Sequence, residues 1–148
     1  MAKGLEGFLR RNPHVTVFAP ESFPISFRQT ITGYGDKTQA VGDPVRLFDS
    51  VFSSGEMRDW IKEQALIVET STGLVIITGC AHPGIVNVVK EAKARFKNDI
   101  HLVMGGFHLS GRTSARIRES IRTLKGLGVK KVAPSHCAVE RLPLPSLI

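Results

Sequence analysis

Apolar and polar positions fall into two regimes along this chain. After Trp60 they are sharply periodic, and between residues 20 and 54 they are not. Residues 65–70 alternate as a strand, Ser71-Thr72-Gly73 is a turn, and residues 74–78 form a continuous apolar run, so this stretch predicts a hairpin. Over residues 84–96, Ile85, Val88, Val89, Ala92 and Phe96 share one helical face. Residues 100–104 read as a strand. Residues 113–127 place Ile117, Ile121, Leu124 and Leu127 on one helical face, with Gly128 to end the helix, and residues 129–133 form another strand. Near the start, residues 5–11 suit a short helix and residues 14–19 a β-branched strand. Residues 20–54 are rich in Pro, Gly, Ser and Thr, and only residues 45–48 suggest a strand there. That is long for a loop in a compact domain. The Leu-Pro-Leu-Pro run at 142–145 can continue neither a helix nor a central strand.

The second half therefore reads strand, helix, strand, helix, strand. Such units give parallel strands with right-handed crossovers, whose C-terminal ends line one edge of the sheet, the edge that ligands favour. Each of the three strands runs into a polar knot there: Gly79-Cys80-Ala81-His82-Pro83-Gly84, then Gly105-Gly106-Phe107-His108, then Pro134-Ser135-His136-Cys137. Three of the five histidines thus fall just beyond strands expected to be parallel. Imidazole with thiolate suits zinc or iron, and Cys80 and His82 are close enough in sequence to serve one centre. The alternative is that these are ordinary packing or surface histidines. His14 and His101 open strands at the opposite end and read as structural, and Cys137 reads as a ligand neighbour or, preferably, a small buried residue. Beside the same edge, Ser110-Gly111-Arg112-Thr113-Ser114 precedes a helix. Its free N–H groups, hydroxyls and Arg112 suit a phosphate, and N-capping by Ser110 or Thr113 explains the same residues as well.

A length of 148 residues suits one domain with its own core, and 42% hydrophobic with 22% charged residues is ordinary for a globular protein. No apolar run is long enough to span a bilayer, and the first residues carry no secretory h-region, so the expectation is a cytoplasmic protein without a disulfide. The net charge of +7 fits an anionic partner, either a phosphorylated small molecule or nucleic acid, and equally fits a surface that is simply soluble. With one Trp, one Tyr and no interleaving of aromatic and basic residues, a nucleic-acid stacking platform is not expected.

The run from Gly73 through Cys80-Ala81-His82-Pro83-Gly84-Ile85-Val86-Asn87, with Met104-Gly105-Gly106-Phe107-His108-Leu109 and Pro134-Ser135-His136-Cys137, resembles the metallo-β-lactamase superfamily. Within it, the chain is similar to the branch named for the methanopterin-pathway dihydropterin synthase, which joins a pterin to a ribofuranosylaminobenzene phosphate. The resemblance implies an αββα sandwich holding one or two metal ions, usually zinc, with iron or manganese as alternatives. It implies that His82 and His136 are metal ligands. It puts Cys80 near a position where the superfamily has an acidic or cysteine ligand, and it matches His108 to a histidine that touches either metal or substrate.

The superfamily's His-x-His-x-Asp-His string does not occur among the 148 residues. Gly4-Leu5-Glu6-Gly7-Phe8-Leu9 resembles the helix that follows that string, and the end of the chain departs from the family pattern after Cys137. The expectation is therefore a single, partial domain over residues 1–148: an α/β sandwich incomplete at its N-terminus, with a C-terminal βαβαβ half. Its metal site would be partly filled or empty. Three functions follow: a metal-dependent hydrolase or transferase of phosphorylated or cyclic small molecules, with low activity or none; a non-catalytic remnant that forms homo-oligomers; and, least favoured, a nucleic-acid binder.

Overall fold

The computed structural model describes residues 4–35, 37–57 and 61–135. Helix α1 (Leu5–Arg11) stands where the sequence puts it, strand β1 (Thr16–Pro20) starts two residues later than expected, and the weakly patterned region that follows is ordered rather than a loop, with the strand expected at 45–48 in place. It holds helix α2 (Ile25–Thr32) and strands β2 (Lys37–Val41), β3 (Val45–Phe48) and β4 (Val51–Ser53). Then come β5 (Leu66–Thr70), β6 (Gly73–Thr78), α3 (Ile85–Phe96), β7 (Ile100–Gly105), α4 (Ser114–Gly126) and β8 (Lys131–Pro134).

Strands β3 to β8 form one six-stranded sheet in sequence order, while β1 and β2 form a separate parallel pair joined through α2. The expected hairpin is present: Leu66 pairs with Ile77 and Thr70 with Gly73, antiparallel. Its turn is tied by the Thr70 hydroxyl, which donates to the Gly73 carbonyl at 2.6 Å. From β6 onward the sheet is parallel. Ile76 pairs with Val103, and Val103 with Val132. Both crossovers run through helices, as right-handed βαβ units require.

The two crossover helices lie on one face of the sheet. Ile85, Val88, Val89 and Ala92 of α3 and Leu124 of α4 share a buried cluster with Leu74 and Ile76 of β6 and with Ile100 and Val103 of β7. Burial of each such aliphatic side chain contributes about 1.5–3 kcal/mol. Phe52 of β4 meets the end of α3 through an edge-to-face contact with Phe96, centroids 5.4 Å apart. On the opposite face Val75, Ile77 and Leu102 are half-buried and Met104 is exposed. Leu9, Ala19, Ile31 and Val41 are buried outside the main cluster, around the β1–α2–β2 unit. Among the described residues no helix is long and apolar enough to cross a membrane.

The ends of β6 and β7 are locked together by a close backbone approach. Gly105 has φ +118, and a Cβ there would lie 2.2 Å from the Thr78 carbonyl oxygen. The Thr78 hydroxyl donates to the Gly106 carbonyl at 3.0 Å, and Gly106 N–H donates to the Gly79 carbonyl at 2.8 Å. Only glycine combines that φ with that spacing. Gly105→Ala should therefore destabilise the fold by about 2–4 kcal/mol, from backbone strain and displaced strands. Gly79→Ala, with nothing within 4 Å of its Cβ, should stay within about 0.5 kcal/mol of the parent. Urea unfolding of the two variants checks both, and equal losses would refute the locking role of Gly105.

Candidate metal centre

The C-terminal end of β6 is where the polar residues gather. The chain leaves the strand at Gly79 and Cys80, then turns through Ala81, which is fully buried with a left-handed φ of +57. Gly84 N–H closes the turn on the Ala81 carbonyl at 2.8 Å, and α3 starts at Ile85. A non-glycine residue held left-handed and buried is strained backbone of the kind that clusters at binding sites. Here it brings Cys80 and His82 to the same side.

A third group joins them from before β5. The ligand atoms of Glu63, Cys80 and His82 all lie within 4.8 Å of one another, and each residue is half-buried. The sequence did not single out Glu63, whose place depends on the register of the hairpin. In an antiparallel hairpin the residues before one strand lie beside those after the other. Extending the register three residues outward from Leu66 and Ile77 brings Glu63 opposite Cys80. The segment carrying Glu63 is held on several sides. Met57 N–H donates to the Glu63 carbonyl at 2.8 Å, and Ala65 N–H donates to the Ser54 hydroxyl at 2.9 Å. The Gln64 amide donates to the Phe18 carbonyl at 2.8 Å and accepts from the Ser53 hydroxyl at 2.8 Å.

His108 stands at the end of β7, also left-handed at φ +49, with its ring centroid 4.9 Å from that of His82 and the two rings tilted by 52°. The structure thus brings His82 and His108 side by side. His136 and Cys137 lie outside the described residues. His14 sits in an exposed turn before β1, and His101 is near the start of β7. Arg112 is exposed and lines a cavity of about 160 Å³ with His108, Asn87, Arg116, Glu119 and Ser120. Thr113 is the N-cap of α4, its hydroxyl accepting from Arg116 N–H at 3.4 Å. A second cavity, of about 280 Å³, runs from Gly79 and Glu63 to an apolar wall of Phe18, Phe23 and Phe27.

The donor set has the chemistry of a transition-metal site. Thiolate, imidazole and carboxylate together suit zinc, and carboxylate with imidazole also suits iron or manganese. The residues present therefore fit a metal ion at this edge.

No family model matches the chain. A dihydropterin synthase of Methanocaldococcus jannaschii, "7,8-dihydropterin-6-methyl-4-(beta-D-ribofuranosyl)-aminobenzene-5'-phosphate synthase", is 31% identical over 179 residues, covering 90% of this chain and 61% of the synthase. An uncharacterized protein of the same organism is 28% identical over 90 residues, 61% of this chain and 33% of that protein. The chain thus spans about three fifths of the first relative and a third of the second. The crystal structure of a metal-dependent hydrolase of the β-lactamase superfamily superposes with a TM-score of 0.74 at 24% identity, over 90% of this chain and 64% of that one. The strand–helix order, the hairpin feeding parallel strands and these likenesses agree: the chain has the metallo-β-lactamase fold in part, and in sequence it is similar to the dihydropterin synthase.

Proposed function

We propose that this chain is a metal-binding, hydrolase- or transferase-like member of its fold that takes a phosphorylated small molecule. The observation that carries this reading is the convergence of Glu63, Cys80 and His82 within 4.8 Å at the end of β6, with the His108 ring against His82. Cys80 and His82 would hold the ion, with His136 as a further ligand and Glu63 within reach of the same centre. Zinc fits this donor set best. When bound, the metal would supply Lewis-acid polarisation of a substrate oxygen.

The chain's own residues supply the rest. His108 faces both His82 and the cavity that Arg112 and Arg116 line, which suits it to contact a substrate seated there. Two guanidinium groups at that rim suit a phosphate, since arginine binds phosphate through paired hydrogen bonds. The synthase relative is named for an aminobenzene-5'-phosphate, which supports a phosphorylated ligand here. The His-x-His-x-Asp-His string is absent from this chain's 148 residues, so the metal ligands that this string would supply are not in this sequence, and turnover by this chain alone should be low.

A second reading, self-association, rests on the sheet. Met104 is 36% exposed on the face away from the helices, and Phe48 is 74% exposed on edge strand β3. Exposed edges and apolar faces favour pairing with another copy.

Elemental analysis of the untagged protein should find bound zinc, most of which is lost in His82→Ala and Cys80→Ser and retained in His14→Ala and His101→Ala. Equal zinc in all four variants would refute the assignment. On the same sample, mass in solution should correspond to a dimer. Hydrolysis of generic phosphodiester and lactam substrates with added zinc or manganese should stay near background. A monomer with robust metal-dependent turnover would overturn both the low-activity and the self-association readings.

A further inference from the structure

Glu63 stands among the candidate ligands, yet among the described residues the hydrogen bonds of its carboxylate run to a single neighbour. His82 donates to it twice: the ring Nδ1 meets Oε1 at 2.6 Å, and the backbone N–H meets Oε2 at 3.0 Å. A carboxylate offers acceptors and no donor, so the ring nitrogen that faces it carries the hydrogen. In the neutral ring, the form that binds a metal, that leaves Nε2 of His82 with its lone pair free. The two ring nitrogens point to different sides of the imidazole, so an ion at Nε2 lies away from the Glu63 oxygens. Direct ligation through Oε1 would mean giving up the 2.6 Å bond that orients the ring.

We infer that Glu63 is a positioning residue for His82: it holds the imidazole as the Nδ1–H tautomer, aims Nε2 at the metal, and is not itself a ligand. The inference rests on the metal-centre reading above and assigns Glu63 its part in it. Both ends of the contact are prepared. The Glu63 backbone is pinned to Met57, and its neighbour Gln64 is bonded at both ends of its amide. On the other side, the left-handed Ala81 precedes His82, whose N–H meets the carboxylate. The His82 and Glu63 side chains are 28% and 19% exposed, which keeps water from competing fully for the bond. Carboxylates in this relation to a metal-bound histidine fix its tautomer and raise its basicity, and losing one typically lowers metal affinity about 10–100-fold.

The test uses the whole 148-residue chain and two variants, Glu63→Ala and Glu63→Gln. In chelator-treated, ¹⁵N-labelled protein at alkaline pH, long-range proton–nitrogen correlation should show His82 as the Nδ1–H tautomer. Glu63→Ala should shift it toward Nε2–H. Glu63→Gln, whose amide oxygen still accepts from Nδ1–H, should retain the Nδ1–H form. Zinc affinity, read by competition with a chromophoric chelator, should fall about 10–100-fold in Glu63→Ala and much less in Glu63→Gln. The cobalt(II) absorption bands should be unchanged in Glu63→Gln. An Nε2–H tautomer in the parent protein overturns the inference. So does a Glu63→Gln variant that loses as much zinc affinity as Glu63→Ala with altered cobalt bands, because an amide replaces a carboxylate acceptor but not a carboxylate ligand. A parent protein that binds no zinc refutes the metal-centre reading instead, and the tautomer signals then decide the positioning role by themselves.

Discussion

Strand β6 is paired on both sides, antiparallel to β5 and parallel to β7, and the layout of the molecule's polar edge depends on that arrangement. A parallel neighbour must come back through a crossover, so the ends of β6 and β7 point the same way and their following loops meet. An antiparallel neighbour brings the residues before its own start to the same place. Cys80 and His82 arrive from the end of β6, His108 from the end of β7, and Glu63 from ahead of β5. Three chain segments far apart in sequence are thereby delivered to one edge by backbone hydrogen bonding, before any side-chain attraction is considered.

Packing makes that delivery rigid. Leu74 and Ile76 are fully buried beneath α3 and α4, so β6 cannot slip by one residue without turning its apolar face outward. Beyond the strand, the close approach of Gly105 to Thr78 and the bond from Gly106 to Gly79 join the two loops that carry the histidines. The strained turns at Ala81 and His108 are then tolerated, because the surrounding core leaves the chain no cheaper path.

The two cavities beside this edge differ in character. One is rimmed by Arg112, Arg116 and His108, the other by Phe18, Phe23 and Phe27. The aromatic wall comes from β1, from α2 and from the turn between them, a unit with its own small set of buried residues. That unit is tied to the main sheet by the Gln64 side chain, which bridges Ser53 and the Phe18 carbonyl next to Glu63. The β1–α2–β2 unit therefore contributes walls, and the sheet contributes the donors.

The second half of the fold was legible in the sequence because its two helices and the strands β6 and β7 bury two or more residues each. Helix α3 hides Ile85, Val88, Val89 and Ala92 on one face, and such spacing survives any choice of tertiary partners. The strand-end placement of Cys80, His82 and His108 followed from the same pattern. Apart from the strand at 45–48, residues 20–54 were opaque for the opposite reason: α2 buries only Ile31 and leaves Ile25 71% exposed, and β2 buries only Val41. One buried residue per element leaves no period to read, and it is long-range pairing of β2 with β1 and of β4 with β5 that makes those segments regular. Glu63 was hidden in another way. Its importance lies in strand register across the hairpin, and alternation along a strand says which residues face together without saying which stand opposite. The sequence by itself determined the parallel α/β half and the residues at its strand ends. Only the tertiary structure decided which carboxylate meets His82, because that contact is made between segments joined by backbone pairing rather than by neighbourhood in the chain.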